Sequence, residues 1–248
     1  MTAVDEAVTG SPLLRVDAVT RRFGGLVAVN EVSLHVDPGE IVAVVGPNGA
    51  GKTTLFNLMT GQLKADEGDV WFDGRRITRL AAHRRARLGI ARTFQIVRPF
   101  TSMTVVDNAA VGALMGGRSC IAARRHADGV LTRVELGRRA GVTSAELTLA
   151  QRKRLEVARA VASDPRILLL DEVMAGLNPS EIERAVQLVR GLVEEGLTVL
   201  LIEHNLRVVR SLADRVIVLD HGVRIAEGSP DAVLEDPRVV EAYLGRRR

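Results

Sequence analysis

Residues 40–61 read EIVAVVGPNGAGKTTLFNLMTG, and the fold turns on how that stretch is read. Ile41 to Val45 is a nearly continuous apolar run of strand length, the pattern of a strand buried on both faces. It passes into Gly46–Thr54, GPNGAGKTT, which fits G-x-x-x-x-G-K-[ST] in the setting that motif demands, after a strand and before a helix. Gly46, Gly49 and Gly51 let the backbone curl until its amides face inward, and the following helix adds its N-terminal dipole, so the loop is an anion nest. The residues expected to contact a nucleotide here are Gly46, Asn48, Gly49, Ala50, Gly51, Lys52, Thr53 and Thr54. Lys52 can reach β- and γ-phosphates, and the Thr53 hydroxyl can ligate Mg²⁺. Gly61 is the expected stop of the helix.

Two further buried-strand patterns support this reading, RILLLDE at 166–172 and LTVLLIEH at 197–204. Asp171 ends its strand on the carboxyl side of the sheet, where ligands collect, and can hold Mg²⁺ directly or through water. Glu172 is placed to polarise an attacking water as general base. The earlier segments LLRVDAVTRRF, VAVNEVSLHV and GDVWFDG alternate apolar and polar residues and read as antiparallel strands with one face exposed. Strand signals vanish between Pro99 and Gly141, where TVVDNAAVGALM and AARRHADGVLTRVEL read as a helical insert. PSEIERAVQLVRGLVEEG is a helix opened by Pro179 and closed by Gly196. DRVIVLDHGVRIAEG is a hairpin, and Ser229 is the expected cap of a terminal helix that Pro230 opens.

The expected fold is therefore α/β, a P-loop NTPase with a mixed central sheet, an antiparallel β subdomain and a helical insert. Its core would comprise 12–95 and 163–228, its helical subdomain 96–162, and its C-terminal helices and basic tail 229–248. With 248 residues the chain can bury a substantial core as one such domain. No apolar run approaches the roughly 20 residues of a membrane span. MTAVDEAVTG, the N-terminus, is acidic and not a secretory signal, and with the lone Cys120 the chain reads as cytoplasmic and free of internal disulfides. The net charge of +4 selects no partner by itself, and Arg246, Arg247 and Arg248 read as a solvated tail. His35, His83, His126 and His221 have no ligand spacing, so no metal beyond Mg²⁺ is expected.

These motifs resemble the ATP-binding subunit of ABC transporters over nearly the whole chain. The resemblance implies that Phe23 stacks on adenine and that Gln95, in ARTFQ, approaches Mg²⁺ and the attacking water. It implies too that His204 contacts the γ-phosphate, and that Lys52, Gln95, Glu172 and His204 form the catalytic set. LTLAQ, Leu147 to Gln151, stands where that family carries LSGGQ. There the motif grips ATP held by the opposite subunit, so Thr148, Ala150 and Gln151 would face a neighbour's phosphate. Thr148 keeps a hydroxyl. Ala150 costs about 1–2 kcal/mol if its backbone must be left-handed, and little if it is already helical. The helical pattern of AQRKRLEVARAVA favours the second case, with Glu156 spaced to meet Arg152 and Arg159 on an exposed face. A degenerate site that binds ATP but hydrolyses it poorly is the alternative. Asn178, where the family commonly has aspartate, keeps an acceptor but loses a charge.

The finer resemblance is to the subunit serving branched-chain amino acid uptake, carried by GIARTFQIVRPFTSMTVVDNAAVG, DEVMAGLNPSEI and VRIAEGSPDAVLEDPRVVEAYLG. Relatives for urea, short amides, other amino acids or lipopolysaccharide export share many of these segments. The resemblance implies a homodimer, or a heterodimer with a sister ATPase, at the cytoplasmic face of the inner membrane. Two permease subunits would dock around 96–108, an external solute-binding protein would act indirectly, and no nucleic acid is involved. A nucleotide-gated regulatory module is the alternative from another class. A P-loop kinase is disfavoured because Glu172 and His204 suit water activation.

Overall fold

The computed structural model describes residues 11–94 and 99–244. In chain order, strands β1 (Leu14–Phe23), β2 (Leu26–Val36) and β3 (Ile41–Val45) precede helix α1 (Lys52–Thr60). Strands β4 (Glu67–Phe72) and β5 (Arg75–Arg76), helix α2 (Ala82–Arg87) and strand β6 (Ile90–Arg92) follow. Helices α3 (Val105–Met115), α4 (Cys120–Arg133) and α5 (Leu149–Val161) come next, then β7 (Ile167–Asp171), α6 (Pro179–Glu194), β8 (Thr198–Ile202) and α7 (Leu206–Leu212). The chain closes with the hairpin β9 (Arg215–Asp220) and β10 (Val223–Gly228) and helices α8 (Pro230–Leu234) and α9 (Pro237–Leu244).

The strands form two sheets. An antiparallel one has the order β2-β1-β4-β5, and a mixed one has the order β10-β9-β3-β8-β7-β6. Strands β6, β7, β8, β3 and β9 run parallel, and only β10 is antiparallel. Every residue of β3, β7 and β8 is buried, and cover on both faces of the sheet explains why their sequences do not alternate. Val42, Val44, Leu169 and Leu200 pack with Phe56 of α1 and with Leu14 and Val29 of the antiparallel sheet. Their neighbours Ala43, Val45, Leu168 and Leu201 pack on the other face with Val105, Leu155 and Val189 of the helices. The helices between β6 and β7 thus share one apolar core with the central sheet.

Most expected ends are found. Gly61 adopts a left-handed backbone (φ +77°) and closes α1, its N–H bonded to Leu58 O. His221 and Gly222 are both left-handed, the primed turn that suits a two-residue hairpin. Ser229 is a correction: it occupies the N-cap position but its side chain makes no capping bond. The helix there has five residues, and its entry is set by Pro230 and by Val233 N–H to Ser229 O (3.0 Å). The sequence reading also missed α2, because AHRRAR has no apolar face. Its anchor is Arg85, which is buried and donates to the carbonyls of Leu58 (2.7 Å), Met59 (2.8 Å), Thr78 (2.8 Å) and Leu80 (3.0 Å). Burial pushes its guanidinium down to about 10. Among the described residues no helix is long and apolar enough to cross a membrane.

Candidate functional site

The glycine loop is wedged between two strands. A side chain at Gly46 would place its Cβ 2.1 Å from Leu219 O, and one at Gly51 would place it 2.3 Å from Ala28 O, so neither position has room for a methyl. Gly51 is the N-cap of α1, no side chain caps the helix, and its first turn has no acidic residue. The loop and helix start therefore keep the donor character and positive dipole end that suit a phosphate. Lys52 is buried and donates to Gly46 O (2.7 Å) and Pro47 O (2.9 Å). Burial lowers its pKa, and the nearby charges of Glu172 and Asp171 partly counter the effect. Thr53, Asn48 and Gly49 are exposed, Thr54 half-buried and Ala50 buried.

Parallel pairing carries the acidic residues to the same edge. Val44 and Asp171 both lie beside Ile202, so the ends of β3, β7 and β8 meet. Asp171 is buried, its N–H donates to Thr93 Oγ1 (3.1 Å), and its Oδ2 accepts from Arg92 Nη2 (2.6 Å). Its Oδ1 is buried with no hydrogen-bond partner among the described residues. Glu172 has a left-handed backbone (φ +48°), a strained state for a residue with a Cβ, costing on the order of 1–3 kcal/mol. Its N–H bonds to Ile202 O (3.0 Å), and its carbonyl accepts from Lys153 Nζ (3.1 Å). His204 is exposed just beyond β8. Behind these groups Glu203 is almost fully buried, which raises its carboxyl pKa, and it accepts from Met174 N–H (3.2 Å).

Phe23 lies at the exposed end of β1, paired with Leu26, with the Arg21 guanidinium 4.8 Å from its ring centre. Ala28, two residues beyond Leu26 on β2, lies against Gly51 of the glycine loop. Gln95 lies outside the described residues, as do Arg246, Arg247 and Arg248.

The LTLAQ segment builds the start of α5. Thr148 is the N-cap, its Oγ1 accepts from Gln151 N–H (3.3 Å), and Gln151 Oε1 accepts from Thr148 N–H (3.1 Å). Ala150 is the second helical residue and is buried at a cavity of about 30 Å³ shared with Val157, Leu177 and Ala185. The left-handed case for Ala150 is thereby excluded. Leu149, which also replaces a glycine of LSGGQ, is half-exposed as the first residue of the helix. Comparing the two motifs letter by letter would have found it. Asn178 caps α6, with Oδ1 accepting from Glu181 N–H (3.0 Å) and Glu181 Oε2 from Asn178 N–H (3.0 Å), a task that needs an acceptor and not a full charge.

Glu156 departs from expectation. It is buried, pairs with Arg159 (2.9 Å) and accepts from Phe94 N–H (3.4 Å), while Arg152 donates to Ala145 O (2.8 Å). The pair with Arg159 is as expected, but the face is not exposed, because the segment after β6 packs over Glu156 and donates Phe94 N–H to it. A cleft of about 890 Å³ opens there, lined by Arg92, Phe94, Phe100, Met115, Glu156 and Asp171.

A phosphate cradle beside a bare carboxylate oxygen and a threonine hydroxyl fits a Mg²⁺–nucleotide, since Mg²⁺ takes hard oxygen ligands and shares them with phosphates. Among the described residues no group of three or more His, Cys, Asp or Glu could hold a metal ion.

Comparison with known proteins agrees. A family model described as ABC transporter matches residues 29–175, and one described as branched-chain amino acid ATP-binding cassette transporter matches 223–248. The high-affinity branched-chain amino acid transport ATP-binding protein BraF of Pseudomonas aeruginosa is 41% identical over 250 residues, covering 94% of this chain and 98% of its own length. A nucleotide-free ATP-binding cassette from an ABC transporter superposes with a TM-score of 0.88 at 34% identity, covering 95% of this chain and 100% of that one. The dimeric post-hydrolysis state of an ATP-binding cassette bound to ADP and Pi gives 0.78 at 28% identity, covering 88% and 98%. Glycine loop, acidic strand end and full-length likeness converge on one assignment: this chain belongs to the ABC transporter family, as an ATP-binding and ATP-hydrolysing subunit closely related to the branched-chain amino acid importer ATPases.

Proposed function

We propose that this chain energises the import of branched-chain amino acids, binding ATP at the glycine loop and cleaving it with Asp171, Glu172 and His204. The observation that carries the chemistry is the meeting of Lys52 with Asp171 and Glu172 at one sheet edge. Lys52 would leave the carbonyls of Gly46 and Pro47 for the β- and γ-phosphate oxygens, exchanging neutral acceptors for anionic ones. Mg²⁺, when bound, would neutralise charge on those oxygens, held by Thr53 and Asp171 Oδ1 and, as the family resemblance implies, by Gln95. Glu172 takes the proton of the attacking water, His204 aligns the γ-phosphate, and Phe23 stacks on adenine.

The second grip on the nucleotide comes from another copy or a sister subunit. Thr148, Ala150 and Gln151 would present the first turn of α5 to the phosphate, and the solved dimer of a related cassette supports such pairing. Two permease subunits would occupy the cleft beside Phe100, an external binding protein would deliver solute, and the chain would sit peripherally on the cytoplasmic face of the inner membrane. The match at 223–248 and the likeness to BraF support the choice of solute.

Reconstitution in vesicles with its permeases tests the reading. A binding protein loaded with leucine, isoleucine or valine should raise phosphate release, and Glu172→Gln should lower it about 100-fold or more while ATP still binds. Stimulation by urea, a short amide or another amino acid alone would move the solute. Phosphate release indifferent to the permeases would overturn the transport role.

A further inference from the structure

The ion pair between Arg92 and Asp171 has no part in the reading above, yet it occupies one oxygen of the proposed metal ligand. Arg92 is the last residue of β6 and pairs with Leu169 of β7, two residues before Asp171. Its Nη2 donates to Asp171 Oδ2 (2.6 Å), while its Nη1 donates to Asn57 Oδ1 (2.5 Å) and Gln62 Oε1 (3.2 Å). The ring centres of Phe94 and Phe56 lie 5.3 and 5.8 Å from its Cζ. Both side chains of the pair are buried, 7% and 2% exposed. This is a guanidinium pinned by α1, two rings and a carboxylate, not a surface charge that happens to find a partner.

We propose that Arg92 is a positioning residue for Mg²⁺: it is the built-in counter-ion of Asp171, fixing Oδ2 so that Oδ1 alone is presented to the metal. The inference rests on Asp171 being the metal-holding carboxylate. A buried carboxylate needs a compensating cation, and removing one member of a buried pair is far more disruptive than removing both. Lys52, the other cation nearby, is bonded to the carbonyls of Gly46 and Pro47. Arg92 is therefore what holds Asp171 in its orientation before the metal arrives. The planar fork matters, because one group must satisfy acceptors on β7 and α1 at once, which an ammonium on a flexible stem does poorly. Arg92, Phe94 and Asp171 all line the cleft, so its occupant would meet both members of the pair.

The pair predicts that without Arg92 the metal becomes the missing counter-ion. Melting temperatures are compared in ADP with EDTA and in ADP with Mg²⁺ for wild type, Arg92→Met, and Arg92→Met with Asp171→Asn. Wild type should gain modestly from Mg²⁺. Arg92→Met should melt on the order of 10 °C lower in EDTA, and Mg²⁺ should return about half of that loss. The double variant should melt near wild type in EDTA and ignore Mg²⁺. An Arg92→Met protein equally weakened with and without Mg²⁺, or a double variant as weak as the single one, would overturn the proposal. If Arg92→Met does not fold, the double variant still decides: a folded one supports the counter-ion role and an unfolded one refutes it. A wild type that gains nothing from Mg²⁺ beside ADP would instead remove Asp171 as metal ligand, and the inference with it.

Discussion

Ala150 is the second residue of α5, its backbone helical and its methyl packed toward α6, so the conformational reason for a glycine there does not arise. The cap that begins the helix survives the replacement of serine, since Thr148 and Gln151 bond reciprocally. Ala150→Gly should accordingly change the ATPase rate by less than about threefold and lower the melting temperature by about 2–4 °C, because glycine inside a helix costs roughly 1 kcal/mol. Steady-state phosphate release and a melting curve check both. A rate increase of an order of magnitude would mean that the methyl obstructs the neighbouring phosphate after all. The residue scale is also where sequence was most legible. Lys52, Asp171 and Glu172 announce themselves because strand, loop and helix are written around them locally. Arg92 and Lys153 do not, because each works through a bond to a residue 79 and 19 positions away in the chain. Nothing in IAR or in an amphipathic helix marks such a partner.

At the scale of elements, the buried strands were legible as unbroken apolar runs, since both faces of the central sheet are covered. α2 was not, because its fixing force is polar. Arg85 satisfies the last carbonyls of α1 and two carbonyls of the loop leading into α2, and so ties the helix after the glycine loop to the start of β6. Arg85→Ala removes the donor from all four, leaving Leu58 O only the N–H of Gly61. Hydrogen bonds to charged groups and unsatisfied buried acceptors are each worth about 1–3 kcal/mol, so a loss of roughly 3–5 kcal/mol is expected. For a chain of this length that is a fall of about 6–20 °C in melting temperature, measurable by circular dichroism. A variant melting within about 2 °C of wild type would show that α2 is held by something else.

For the whole molecule, the question is how the helices between β6 and β7 speak to the acidic edge of the core. α5 starts at the segment proposed to grip a neighbour's phosphate and, within its second turn, sends Lys153 to the carbonyl of Glu172. Lys153 is buried, which lowers its pKa, and it lies among the charges of Glu203, Glu172 and Glu156. Its ammonium donates to a carbonyl whose residue is held in a left-handed backbone, so a displacement of α5 acts directly on the orientation of the proposed base. Lys153→Met keeps the length and apolar stem but removes that bond. The expected result is a fall in kcat of about tenfold or more, with the KM for ATP unchanged within about twofold, because misplacing a base by a fraction of an ångström weakens the transition state and leaves ground-state binding alone. A merely structural lysine would instead lower the melting temperature without splitting kcat from KM. Steady-state kinetics beside a melting curve separates the two, and an unchanged kcat would mean that α5 and Glu172 move independently.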